Sequence, residues 1–130
     1  MLIERNLKKF IIRKDYSIRS ALKHLNDMST RFLVCVTNEG KLIGTLTFGD
    51  INRWLISSDG KTTDEAVVSL CNKSPFFIRE EEEIAKYSSH LIKFGHIPVV
   101  NDYEQVKGIL IKREAQSSIL IGDKEIGEQK

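Results

Sequence analysis

The sequence lacks any apolar run approaching the roughly 18 residues that a membrane-spanning helix needs. Its start, Met1 to Arg5, also lacks the long apolar segment of a secretion signal. It has only two cysteines, Cys35 and Cys71, in apolar contexts without CxxC spacing or a neighbouring histidine cluster. This pattern argues against a metal site and favours buried free thiols over a disulfide. We therefore expect a cytoplasmic protein with no membrane segment.

Neither sign of charge dominates, since 20 basic and 18 acidic side chains leave a net charge of +2. Nucleic-acid binding by phosphate neutralisation requires a basic excess, so we expect no nucleic-acid partner. The 130 residues, 41% hydrophobic and 29% charged, are typical of one compact domain or two closely packed halves. The sequence shows no phosphate-binding P-loop, no paired metal motif and no nucleophile with a placed base, which argues against a free-standing enzyme.

Two stretches of the sequence recur. Phe10–Ile18 (FIIRKDYSI) aligns with Phe76–Ile84 (FFIREEEEI), with Phe, Ile, Arg and Ile at matching places. Arg31–Gly44 then aligns with Gly95–Gly108. Repetition over such a length indicates a duplicated supersecondary unit. The chain is therefore interpreted as two copies of one unit.

Each copy has the same order of predicted elements, β-α-β-β-α. Ser17 is the expected N-cap of the first helix, whose buried face has three-and-four spacing and consists of Ile18, Ala21, Leu22, Leu25 and Met28. Thr63–Cys71 predicts a further helix between the copies. Because one copy alone would leave an apolar sheet face uncovered, we expect an α/β (α+β) fold whose copies pack sheet against sheet about a pseudo-twofold axis. The expected boundaries are 1–58 for the first copy, 59–117 for the second, and 118–130 for a linker or the start of a following domain.

The duplicated order, the HIPVVND segment (His96–Asp102) and the GTLTFGD segment (Gly44–Asp50) resemble a tandem pair of cystathionine-β-synthase-type (CBS) domains, the Bateman module. The resemblance covers about residues 5–117. It implies a disk with clefts between the two domains. In that family the clefts bind adenosine-containing ligands and regulate an attached enzyme, channel or transporter.

The resemblance gives the GTLTFGD segment most of the ligand contacts. Asp50 would accept two hydrogen bonds from the ribose hydroxyls, which a carboxylate does better than a neutral side chain. Thr47 would offer a hydroxyl and a nearby backbone amide to a phosphate, Thr45 would lie beside the base, and Gly44 would permit close backbone approach. The alternative for Asp50 is a helix cap for residues 51–56.

Four other positions follow from the same resemblance. Arg31 is carried to the phosphate end of the cleft, and His96 to a phosphate-facing position in the partner repeat. Phe76 or Phe77 would flank the adenine. Adjacent strand residues point to opposite faces, so one of the two is expected in the core. The alternatives are a solvated surface side chain for Arg31 and a local hydrogen bond for His96.

The second cleft departs from the motif. After Gly108, Ile111 replaces the phosphate-side threonine and Glu114 replaces the aspartate. Losing the hydroxyl removes a hydrogen bond worth about 1 kcal/mol. We therefore expect one competent cleft.

The last stretch, Ser117–Lys130, lies outside the repeat. It resembles the opening hairpin of the sialic acid synthase (N-acetylneuraminate synthase) family, and a sugar nucleotidyltransferase is the alternative downstream enzyme. The sequence thus predicts a regulatory module that binds AMP, ADP or ATP, requires no cofactor or metal, forms a homodimer and precedes a covalently attached catalytic domain. The competing hypothesis is a dimerisation module with vestigial clefts.

Overall fold

The structure, a computed structural model, describes residues 2–57 and 62–112. Within these ranges the chain forms seven strands and three α-helices. The strands are β1 (Leu2–Glu4), β2 (Ile11–Arg13), β3 (Phe32–Val36), β4 (Leu42–Thr47), β5 (Ile78–Arg79), β6 (His96–Val100) and β7 (Val106–Ile111). The helices are α1 (Ile18–Asp27), α2 (Phe48–Ser57) and α3 (Ser88–Phe94), with short 3-10 turns at Leu7–Lys9, Val67–Ser69 and Ile84–Tyr87.

The strands form two sheets, ordered β2-β3-β4 and β1-β7-β6-β5. In each sheet the first strand of a repeat runs parallel to the second, and the second runs antiparallel to the third. The predicted mixture of α and β elements in two similar units is therefore confirmed. The final helix expected for the second repeat would follow Lys112, outside the described residues.

The first helix begins where the sequence predicts. Ser17 is its N-cap, and the Ser17 hydroxyl accepts a hydrogen bond of 3.0 Å from the backbone N–H of Ser20. Ile18, Ala21 and Leu25 are buried, which gives the helix one apolar face against β2, β3 and β4.

Each repeat lends an extended segment to the sheet of the other repeat. β1 pairs antiparallel with β7, and Asn72, which precedes β5, forms an isolated bridge with Thr45 in β4. In the pairing of β1 with β7, Glu4 is the partner of Ile109. The two sheets are thus joined by backbone hydrogen bonds as well as by apolar packing.

The helix predicted over Thr63–Cys71 is wrong, because this segment contains only the 3-10 turn at Val67–Ser69. Its backbone polar groups are used elsewhere. The carbonyls of Thr63 and Glu65 accept hydrogen bonds of 2.9 Å from the first amides of α1, and the Val67 amide donates to Tyr16 at 2.7 Å. These carbonyls pair with the free amides at the start of α1, so they are not used for hydrogen bonds within a helix of their own.

A local pseudo-twofold relation is visible where the two hairpins meet. The Leu42 amide donates to the Glu104 carbonyl at 2.9 Å, and the Val106 amide donates to the Gly40 carbonyl at 3.0 Å. The two sheets face each other across a shared layer of apolar side chains, here called the intersheet cluster. Its buried members are Phe10, Phe32, Val34, Val36, Val100, Val106 and Ile109.

Gly40 and Glu104 occupy equivalent places in the two hairpins, and both have positive φ, 85° and 62°. A Cβ at Gly40 would meet nothing within 4 Å, so the cost of a side chain there is conformational. We expect Gly40→Ala to lower the free energy of unfolding by about 1 kcal/mol in urea denaturation. Glu104→Gly is the matched change. It relieves the same strain but loses an exposed 3.7 Å ion pair with Arg79, so we expect a change within about 0.5 kcal/mol. Equal stability of Gly40→Ala and the wild type would contradict this account.

Within the described part of the chain, no helix has both the length and the apolar character needed to cross a bilayer.

Candidate functional site

A cleft of about 320 Å³ opens where the two repeats meet. It is formed by the end of β4, the start of α2, the segment between the repeats, the end of α3 and the start of β6. Its lining residues are Phe32, Thr45, Thr47, Asp50, Arg53, Asn72, Phe76, Phe94, His96 and Pro98. Both repeats therefore contribute to the walls.

Most of the sequence-predicted site residues lie together in this cleft. The structure brings to its walls Thr45, Thr47, Asp50, Phe76 and His96. They come from segments separated in the chain by α2 and by the connection between the repeats. Their role in ligand binding stays a prediction.

Arg31 and Phe77 do not line this cleft. Arg31 lies at a separate cavity beside α1, with Leu22 and Phe48 among its neighbours. Phe77 packs against the intersheet cluster, with the Arg79 guanidinium 5.9 Å from the centre of its ring. In the extended segment just before β5, Phe76 thus lines the cleft and Phe77 packs against the intersheet cluster.

Thr47 and Asp50 hold each other at the start of α2. The Asp50 carboxylate Oδ2 accepts from the Thr47 amide at 2.9 Å, and the Thr47 hydroxyl accepts from the Asp50 amide at 3.1 Å. This reciprocal pair is a capping box, in which two unpaired backbone donors of a helix start are satisfied. The helix-cap alternative for Asp50 is therefore present in the structure, and it holds the carboxylate at the cleft wall.

Arg53 also lines the cleft, although the sequence did not predict it there. Its guanidinium Nη2 donates to Asp50 Oδ1 at 2.6 Å. The Arg53 side chain is 73% exposed and that of Asp50 is 25% exposed, so this ion pair faces solvent at the mouth of the cleft. Its position three residues after Asp50 on a predicted helix could have indicated that the two side chains are neighbours.

Thr45 and Asn72 form the inner corner of the cleft. Their backbones exchange two hydrogen bonds, of 3.0 and 2.8 Å. Thr45 is buried, and its hydroxyl has no hydrogen-bond partner among residues 2–57 and 62–112. An unpaired buried hydroxyl costs about 1–3 kcal/mol, which a ligand with a polar group could recover.

Gly44 permits a close backbone approach, but the approaching group belongs to this chain. A Cβ at Gly44 would lie 2.4 Å from the carbonyl oxygen of Asn72. Asn72 was absent from the predicted site because its pairing with β4 depends on tertiary structure.

An aromatic wall lies opposite this polar corner. The Phe76 ring stacks on His90, with centroids 4.6 Å apart and planes inclined by 5°, and on Phe94 at 5.5 Å. Phe94 is 45% exposed. A flat, partly exposed aromatic surface of this kind suits the face of a planar base.

His96 lies at the bottom of the cleft, with its ring stacked on Phe32 at 4.8 Å and tilted towards Phe10 at 5.8 Å. Burial lowers the pKa of His96 below its usual value of 6.5, and the positive charge of Lys9 lowers it further. The imidazole is therefore neutral at pH 7. It can donate or accept a hydrogen bond but brings no fixed positive charge.

The lowered pKa of His96 makes stability depend on pH. The unfolded chain binds a proton at His96 more readily than the folded chain does. The stability that neutral His96 gives to the folded state is therefore fully present above pH 6.5 and is lost as the pH falls towards the folded-state pKa. We expect the wild type to lose stability below pH 6.5 relative to His96→Phe, which keeps the aromatic stack. The slope stays well below the single-group limit of about 1.4 kcal/mol per pH unit, because solvent still reaches the ring. Urea denaturation between pH 7.5 and about 5 measures it. If the wild type and His96→Phe changed in stability equally with pH, the lowered pKa of His96 would be contradicted.

The second cleft lacks the equivalent polar groups among the described residues. Ile111, at the position of Thr47, packs against the intersheet cluster. Phe10, at the position of Phe76, is only 3% exposed and belongs to the same cluster. Glu114, predicted to replace the acid, lies outside the described residues. At these two positions the second cleft therefore carries apolar side chains, and its inability to bind a ligand stays a prediction.

Comparison with known proteins gives a consistent result. Residues 6–57 match the family model of the CBS domain. No curated protein matches the sequence.

Several solved structures share the fold over nearly the whole chain. CBSX2 in complex with AMP is 22% identical, with a TM-score of 0.73 over 92% of this chain and 93% of that one. CBSX2 from Arabidopsis thaliana is 17% identical, with a TM-score of 0.71 over 95% and 94% of the two chains. The CBS domain pair of protein MJ0100, in complex with methylthioadenosine and S-adenosyl-L-methionine, is 25% identical, with a TM-score of 0.66 over 92% and 98%.

The family match ends with α2, whereas the structural likeness continues through the second repeat. The second repeat resembles the first in sequence and forms a similar sheet, which explains why the structural likeness extends beyond the residues of the family match. Residues 6–57 therefore match the CBS domain, and the described chain has the fold of a tandem CBS-domain pair.

Proposed function

We propose that this chain is a regulatory module that binds an adenosine-containing ligand in the cleft lined by Asp50 and Phe76. One observation carries the proposal most directly. A fixed carboxylate, a buried Thr45 hydroxyl without a partner in the described ranges, and an aromatic wall line a single cleft between the two repeats. The AMP complex of CBSX2 and the nucleoside complex of MJ0100, which share the fold, support it.

The carboxylate of Asp50 is suited to the ribose. The capping box holds Oδ2, and among the described residues the exposed Arg53 is the partner of the second oxygen, Oδ1. Two vicinal hydroxyls can take the place of Arg53 without disturbing the helix start. The base then lies between Phe76 and the corner formed by Thr45 and Asn72.

The charge of the cleft favours a ligand with few phosphates. Among the described residues that line it, Arg53 is the one cation and Asp50 the one anion. His96 is neutral because its pKa is lowered. Each further phosphate adds negative charge that these side chains do not balance. Of AMP, ADP and ATP, AMP is therefore the preferred ligand, together with adenosyl compounds that carry no phosphate.

Isothermal titration of the chain with AMP, ATP and S-adenosylmethionine tests this proposal. We expect one ligand per chain, because Ile111 denies the second cleft its polar group, and we expect ATP to bind more weakly than AMP. No binding of any of the three at millimolar concentration would overturn the proposed function. Two equivalent sites would overturn the assignment of a single cleft.

Ligand binding can be coupled to an attached domain. The ligand would touch both repeats, so its binding energy favours one relative arrangement of the two, and any domain that senses this arrangement responds. We propose a covalently following catalytic domain of the N-acetylneuraminate synthase type, with a sugar nucleotidyltransferase as the alternative. This part rests on residues 117–130, which lie outside the described residues.

A second candidate function is assembly. Ile56 on α2 is 86% exposed and Ile92 on α3 is 71% exposed, with Phe48 and Phe94 also partly exposed. Exposed apolar side chains on helices are typical of protein contact surfaces. Light scattering with and without AMP separates the two functions, because a stable homodimer indifferent to the ligand supports assembly alone.

A further inference from the structure

The two cysteines, far apart in the sequence, lie in one buried cluster of the first repeat. Cys35 in β3 is the register partner of Gly44 in β4. The sulfur of Cys71 occupies the space above this glycine, since a Cβ on Gly44 would lie 2.9 Å from Cys71 Sγ. Both residues are buried, with exposures of 0% for Cys35 and 6% for Cys71. The missing side chain of Gly44 thus lets one thiol reach the other.

The two thiols differ in chemistry. As a thiol, Cys71 donates weakly to the Val68 carbonyl at 3.7 Å. The close contact with Cys35 lowers the pKa of Cys71, and the positive charge of Lys73 acts in the same direction. The same contact with Cys71, together with burial, raises the pKa of Cys35. Cys71 keeps a little contact with solvent and lies two residues from Lys73, whereas Cys35 is fully buried, so Cys71 is the thiol that supplies a nucleophilic thiolate beside a thiol.

We propose that Cys35 and Cys71 form a reversible redox pair that closes to a disulfide when a hydroperoxide is present. The Cys71 thiolate attacks the terminal peroxide oxygen, the O–O bond breaks, and a sulfenic acid forms with release of an alkoxide, or of hydroxide when the oxidant is hydrogen peroxide. The sulfur of Cys35 then attacks the sulfenic sulfur, the S–S bond forms, the S–O bond breaks and water leaves. The peroxide is reduced by two electrons and the dithiol is oxidised by two. An external dithiol reverses the change by thiol–disulfide exchange.

The disulfide has a consequence for the cleft, which rests on the proposed function. Asn72 follows Cys71 directly and forms the cleft corner through its two hydrogen bonds to Thr45. A bond length of about 2.05 Å draws Cys71 towards β3 and shifts this corner. We expect the affinity for AMP to differ between the reduced and oxidised chains.

Intact-mass spectrometry of the full chain tests the pair independently of any ligand. After hydrogen peroxide treatment and alkylation, we expect a monomer lighter by two hydrogens with both cysteines unalkylated, and recovery of both thiols with dithiothreitol. Cys35→Ala should instead accumulate a sulfenic acid at Cys71 that dimedone traps, and Cys71→Ala should react slowly. The wild-type result stands even if a variant fails to fold.

Three results would overturn the redox pair. They are two alkylatable thiols after oxidation, disulfides only between chains, and sulfenic or sulfinic acid at Cys71 with Cys35 still free. An oxidised chain with the internal disulfide but no binding of AMP in either state would leave the pair standing and reject the proposed function. Binding of AMP with equal affinity in both states would reject only the effect on the cleft.

Discussion

Gly44→Ala is expected to lower the free energy of unfolding by about 3 kcal/mol, the upper part of the range for overpacked sites. The new Cβ would lie 2.4 Å from the carbonyl oxygen of Asn72 and 2.9 Å from the sulfur of Cys71. Asn72 cannot simply move away, because two backbone hydrogen bonds tie it to Thr45 beside the glycine. Relief of the clash requires loss of the contact that joins the connecting segment to the first sheet.

Two other glycines provide controls for this prediction. A Cβ at Gly49 in α2 would meet nothing closer than 3.4 Å, and that neighbour is the end of the Arg53 side chain. Gly49→Ala should therefore stabilise the helix by roughly 0.5 kcal/mol. A Cβ at Gly108 would lie 2.6 Å from the side chain of Ile3 in β1 and 3.3 Å from the Glu4 carbonyl oxygen. Its main clash is with a methyl group of β1, a three-residue strand at the edge of its sheet that can shift more readily than Asn72, so Gly108→Ala should cost less than Gly44→Ala.

Urea denaturation of the three variants ranks these costs. If Gly44→Ala proved as stable as Gly49→Ala, the connecting segment would not pack against β4 as the structure places it. The test also bears on the cleft, because the same contact positions Asn72.

The sequence predicts the features of this fold that depend on short-range patterns. Ser17 and the spacing from Ile18 to Leu25 predict α1, and the repetition of Phe10–Ile18 at Phe76–Ile84 predicts two similar units. The exchange of β1 and Asn72 between the sheets escapes prediction. Its hydrogen bonds join backbone groups far apart in the chain, and backbone groups have the same chemistry whatever the side chains.

The residues of the cleft also fall into those that a local sequence pattern indicates and those that only tertiary packing brings there. Thr47 and Asp50 are recognisable through the resemblance of the local GTLTFGD segment, and the capping box that they form holds the Asp50 carboxylate at the cleft wall. Phe94 and Asn72 reach the cleft only through tertiary packing, so no local spacing reveals them. Arg31 was carried over from a family position, whereas here it lies at a cavity beside α1.

Asp50→Ala is expected to have the largest effect on ligand binding. A carboxylate that accepts two ribose hydroxyls contributes about 1.5–3 kcal/mol for each hydrogen bond. Loss of both should weaken AMP binding at least about 100-fold in isothermal titration. The variant also loses half of the capping box, which should cost about 1 kcal/mol of stability. Stability must therefore be measured beside affinity.

Asp50→Asn separates the two roles of this side chain. Its amide oxygen can still accept from the Thr47 amide, so we expect stability within about 0.5 kcal/mol of the wild type. The missing charge should still weaken AMP binding about tenfold or more. Arg53→Ala is the opposite change, because it frees Oδ1 of Asp50 from its 2.6 Å ion pair. We expect it to strengthen binding of adenosine, which has no phosphate, and to weaken binding of AMP, which loses the cation of the cleft. If Asp50→Ala bound AMP as tightly as the wild type, the acid would serve the helix alone and the ligand would be held elsewhere.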